Sequence, residues 1–211
     1  MRNYIQKVAL YLVGIQFALV SAVPNVTAVP LTTLDCSPYP NWQGGFGGSN
    51  IDVTGTVFIQ LDQSDNATAN GLFSSVFPAL GPNTEKTIIS ITPQKDLAKI
   101  PYKCFNGVFQ DYFVDGENLP HISANISDPQ YGYFGYWRGG WSPAPYAHQI
   151  DGQQQDGVFL GATGLTTWGF TYHPAGSGEG ELEHFEARLL FPDVKPLDCE
   201  FKGFLKVVGF T

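Results

Sequence analysis

His184-Phe185-Glu186-Ala187-Arg188-Leu189 alternates polar and apolar side chains, and the alternation runs on to Phe191. A period of two belongs to an extended strand, because successive side chains leave opposite faces of a pleated backbone. Phe185, Ala187, Leu189 and Phe191 therefore face a core, and His184, Glu186 and Arg188 face away from it. The C-terminal stretch behaves alike, with Cys199, Phe201, Leu205 and Val207 opposite Glu200, Lys202 and Lys206. Upstream, Val57, Ile59 and Leu61 form one face of another strand, and residues 86–92 are a short β-branched run. Residues 103–114 are aromatic-rich and read as covered on both sides; 131–137 and 156–173 read as strands with glycine bulges or bends. Residues 95–100 allow one short turn, and no long helical period occurs. Strands of about five to ten residues joined by Gly, Pro, Asn and Asp turns predict an all-β single domain, an antiparallel β-sandwich (jelly-roll-like) or barrel.

The N-terminus has a different pattern. Arg2 and Lys7 precede a largely apolar run over 8–20, and Val20-Ser21-Ala22 supplies the small residues of a signal-peptidase site. A membrane span needs about 20 apolar residues, so 1–22 reads as a signal peptide and no membrane association is expected. Residues 23–50 form an irregular Pro/Gly-rich segment, and 51–211 form the β-rich domain. Asn25, Asn66 and Asn125 each begin an Asn-x-Ser/Thr acceptor without a central proline. The expected product is a secreted, extracellular glycoprotein, with association to a cell wall as a variant.

With 11 basic and 19 acidic residues the net charge is −8, and the signal removes two cations but no acid. That sign repels phosphate backbones and excludes nucleic acid as the expected partner. Hydrophobic residues make up 43 %, too many for a disordered chain. Cys36, Cys104 and Cys199 allow one disulfide and one odd thiol. Cys104 and Cys199 each begin a strand-like aromatic run, so a Cys104–Cys199 bridge is the expected pairing.

Chemistry-bearing residues concentrate in two places. In Tyr131-Gly132-Tyr133-Phe134-Gly135-Tyr136-Trp137-Arg138-Gly139-Gly140-Trp141, one strand face carries Tyr131, Tyr133 and Trp137. Rings in a row suit the apolar C–H face of a pyranose, and the polar tips of Tyr and Trp suit its hydroxyls. Tyr136, Trp141 and Trp168 complete this candidate binding set. The competing reading is core packing, because aromatics favour strands in any case. In Gly178-Glu179-Gly180-Glu181-Leu182-Glu183, the side chains of Glu181 and Glu183 share a face. Residues two apart on a strand stand about 6.5–7 Å apart, a spacing at which one carboxyl can act as acid and the other as base or nucleophile in glycoside hydrolysis. These alternating acids resemble the paired-acid strand of jelly-roll glycosidases over about five residues, without its central Asp. The bland reading is a solvated hairpin rim.

His121, His148, His173 and His184 lack the spacing of a metal motif, and no metal or cofactor is expected. Gly176-Ser177-Gly178 sits in a turn without the strand–elbow–helix setting of a serine hydrolase. The leading expectation is a non-enzymatic carbohydrate-binding or cell-wall-associated module, with a glycan or wall polysaccharide as partner. The alternatives are a small glycan-cleaving enzyme using Glu181 and Glu183, and a surface or interaction protein with neither activity. The oligomeric state is not legible.

Overall fold

The computed structural model describes residues 22–44, 51–78, 87–94, 97, 99–113, 119–125, 127, 131–136, 139–176, 182–192 and 194–210. Residues 1–21, which carry nearly all of the expected signal peptide, lie outside this set. Fourteen strands and no helix occur among the described residues, so no helix is long and apolar enough to cross a membrane. The chain is all-β, as the period-two runs dictate.

Six strands close a barrel. In spatial order they are β14 (Phe201–Gly209), β12 (Trp168–His173), β13 (His184–Leu189), β4 (Thr87–Thr92), β3 (Phe73–Pro78) and β2 (Val57–Asp62), all antiparallel neighbours. Six register pairs, from Val57↔Gly209 to Asp62↔Phe204, join β2 back to β14 and shut the cylinder. Closure removes the exposed sheet edges that the open arrangement of these strands would leave.

Register fixes which side chains fill the lumen. The pairs Trp168↔Leu189, Phe170↔Ala187 and Phe185↔Ile91 set these residues on one face. Phe170↔Phe201, Trp168↔Gly203 and Leu205↔Leu61 carry the same face around β14 to β2. Trp168, Phe170, Leu189, Ile59 and Leu61 have no exposed surface. The barrel is a packed core, and the alternation of β13 and β14 was a correct guide to it.

The other strands extend the wall. β11 (Val158–Gly161) adds to β14, β9 (Ala144–Ile150) to β11, and both β1 (Thr27–Pro30) and β10 (Gln153–Gln154) to β9. β1 thus gives ordered structure to a segment expected to be irregular. It is held by four register pairs, Thr27↔Gln149 to Pro30↔Tyr146. β8 (Phe134–Tyr136) pairs with the start of β4, and β7 (His121–Ile122) pairs with β8.

β5 (Tyr102–Phe105) and β6 (Val108–Asp111) are a hairpin beside β2. The stretch 103–114 is therefore two strands, not one. Its turn is Asn106-Gly107, both at positive φ (47° and 76°), the pattern of a type I′ hairpin.

The disulfide differs from the expected pairing. Cys36 bonds to Cys104, and Cys199 is a free, exposed thiol. Cys199 precedes β14 in a turn at φ 66°, outside the strand whose face it was expected to share. Cys104 lies in β5 with no exposed surface. It faces Cys36, whose backbone N–H donates to Asp52 Oδ2 at 2.7 Å.

Candidate functional site

The expected aromatic row is divided among several environments. Trp168 lies wholly in the barrel core, where its indole N–H donates to Leu160 O at 2.9 Å. The Tyr136 hydroxyl donates to Asp111 Oδ2 at 2.8 Å, and burial beside Tyr102 and Asp111 pushes its pKa above the usual phenol range. Tyr133 bridges to Arg188, whose guanidinium stands 6.0 Å from its ring centre. Tyr131, Trp141 and Phe191 pack into a half-buried trio, with centroids 4.8–5.9 Å apart. Trp137 lies outside the described residues. Of the set, Tyr131, Tyr133, Tyr136 and Trp141 retain part of their surface, and they meet the core and Arg188 rather than forming one flat platform.

The carboxylate pair is half described: Glu181 lies outside the described residues. Glu183 immediately precedes β13 on the lumen-facing parity of Phe185, and accepts a hydrogen bond from the Tyr172 hydroxyl at 3.0 Å. Tyr172 is half-exposed at the barrel end, and this hydrogen bond raises its phenol pKa.

On the outer face of the same hairpin, β12 and β13 bring together two histidines that sequence spacing kept apart. His173 is the register partner of His184, with rings stacked at 5.1 Å; Phe77 stacks on the other side of His184 at 4.4 Å. His173 Nε2 stands 3.1 Å from Glu186 Oε2. Among the described residues no group of three His, Cys, Asp or Glu side chains could hold a metal ion.

The most exposed described tryptophan is one that the sequence reading passed over. Trp42 retains 47 % of its surface, yet its ring is fixed. Its indole N–H donates to Asp52 Oδ1 at 2.8 Å, and its backbone bridges to Thr54. Gly44 packs so tightly on the benzo edge that a Cβ there would stand 3.0 Å from two ring carbons. Asp52 spends its other oxygen on the Cys36 N–H, and its carbonyl accepts from Asn106 N–H at 2.7 Å. One residue thus ties together the tryptophan and the disulfide through its carboxylate and the β5–β6 turn through its carbonyl. The side chains of Asn41 and Gln43, the chain neighbours of Trp42, both approach Gly55, and Asn41 is held at φ 58° with its amide donating to Thr56 O. The available signal was a Trp beside Asn and Gln, next to the glycine run 44–48, in a segment otherwise read as irregular.

No protein-family model matches the chain, and no curated protein is similar to it. The chemistry of the site therefore rests on its own residues. A flat apolar ring, half in water and held by a hydrogen bond, offers a rigid stacking surface. Such a surface suits a ligand with an apolar face.

Proposed function

We propose that this protein is a secreted, non-enzymatic module that binds carbohydrate, with Trp42 as its stacking residue. The observation that carries the reading is the half-exposed indole locked by Asp52. Exposing so large an apolar ring is unfavourable, and immobilising it in advance lowers the entropy lost when a sugar stacks on it. The aromatic surface at Tyr131 and Trp141 is the second contact region.

Secretion is supported by the tripartite N-terminal sequence and by the Cys36–Cys104 disulfide, since such bonds persist in oxidising compartments. The three glycosylation acceptors lie on loops outside the strands; Asn25 and Asn125 are exposed, and Asn66 is partly covered.

The test is a fluorescence titration with soluble oligosaccharides of several linkages. At least one should change the emission saturably. Trp42→Ala should weaken that binding about tenfold, while Trp141→Ala should weaken it less. Unchanged affinity in Trp42→Ala would refute the assignment.

A further inference from the structure

A second, chemically different pocket opens at one end of β3 and β4. It holds about 260 Å³ and is lined by Leu72, Phe73, Ser74, Thr92, Gln94, Leu97 and Lys99, with Gly71 at its edge. Two main-chain N–H groups bond at its border: Gln94 N–H donates to Thr92 Oγ1 at 3.1 Å, and Ile100 N–H to Ser74 O at 3.4 Å. Most of the lining is apolar, but one side is cationic. Lys99 Nζ stands 3.6 Å above the centre of the Phe73 ring and 5.8 Å from that of Phe58.

This cation–π contact holds the ammonium at the pocket without neutralising it. Lys99 has no carboxylate partner among the described residues, in a chain whose acids outnumber its bases 19 to 11. Ser74, the register partner of Ile91, belongs to the lumen-facing parity, and its buried Oγ lies toward Tyr102. The lining thus combines an apolar body, neutral polar groups at Thr92 and Gln94, and one positive charge.

We propose that this pocket binds a small amphipathic anion, a ring or short apolar chain bearing a single carboxylate. The apolar part fills the space between Leu72, Phe73 and Leu97, and the carboxylate pairs with Lys99. A neutral sugar has no use for the ammonium, so this site goes beyond the carbohydrate reading and stands or falls separately from it. The volume lies just under the range of about 300–1,000 Å³ typical of small-molecule sites, which limits the ligand to a compact molecule.

The experiment follows backbone amide shifts of the labelled full-length mature protein during titration with phenylacetate, and with its neutral counterpart phenylacetamide. Phenylacetate should shift Gly71, Leu72, Phe73, Ser74, Thr92 and Lys99 saturably and bind more tightly than phenylacetamide. Lys99→Met, at an exposed position, should weaken phenylacetate about fivefold and leave phenylacetamide within about twofold. Lys99→Arg should restore most of the difference. Shifts confined to other residues, no saturable shift, or equal loss of both probes in Lys99→Met would overturn the proposal.

Discussion

His148 carries a titratable ring with no exposed surface into the wall formed by β9, β11 and β14. It stacks on Phe159 at 3.7 Å and meets the edge of Phe204 at 4.5 Å. Its Nε2 pairs with Thr166 Oγ1 at 2.8 Å, while Nδ1 is buried without a hydrogen-bond partner. Burial penalises the charged form and lowers its pKa from 6.5 to about 4. The unfolded chain therefore takes up this proton first as pH falls. Stability from the neutral ring is complete above pH 6.5 and is lost progressively down to about pH 4, amounting to up to about 3 kcal/mol. Urea unfolding at pH 7 and pH 4 should show a smaller loss in His148→Phe than in the parent; equal losses would refute this.

A second residue-scale outcome concerns Arg188 and Glu200. Their side chains are 5 % and 1 % exposed, and the guanidinium contacts both carboxylate oxygens, at 2.8 Å and 3.0 Å for Nη2. Glu200→Ala should destabilise by about 3–5 kcal/mol because it strands a buried cation. A loss under about 1 kcal/mol would place the guanidinium in water instead. Neither feature was legible in the sequence. Arg188 looked solvent-facing by alternation, but a strand's second face is open to water only where nothing is laid over it.

Elements were easier to read where the two faces differ in polarity. β13 and β14 alternate in polarity because Glu186, Arg188, Lys202 and Lys206 occupy outer positions, although Arg188 is buried there together with His184 and Phe204. β5 and β6 did not separate, because aromatic residues occupy both strands and hide the Asn106-Gly107 turn between them. Gly107 sits at φ 76°, and a Cβ there would run into Thr33 O. Gly107→Ala should therefore cost about 1–3 kcal/mol in denaturant unfolding, against a much smaller change for Asn106→Gly. The segment 131–141 shows the opposite failure. Composition marked it as aromatic, but whether a ring faces water depends on partners such as Phe191 and Arg188, distant in sequence. Trp42 was missed for the related reason that Asp52, ten residues on, is what orients it.

At the scale of the whole molecule, the all-β class was legible, and the choice between sandwich and barrel was not. That choice depends on the β2–β14 pairing across nearly the whole domain, a contact no local pattern encodes. The disulfide pairing failed likewise: strand-like flanks suggested Cys104–Cys199, whereas Asp52 brings Cys36 to Cys104. That bridge spans 68 residues and should contribute about 4 kcal/mol in the chain-entropy picture. Cys36→Ser should lower stability by that order, and Cys199→Ser should change it by no more than about 0.5 kcal/mol. Thiol titration of the native protein should count one reactive cysteine.

The carbohydrate reading is tested most directly by incubating the purified secreted protein and its Trp42→Ala variant with a panel of insoluble polysaccharides, with released sugar assayed in the same tubes. The account predicts selective depletion of the parent by at least one polysaccharide, reduced depletion of the variant, and no sugar released. Equal depletion of both proteins, depletion by none, or release of soluble sugar would contradict it.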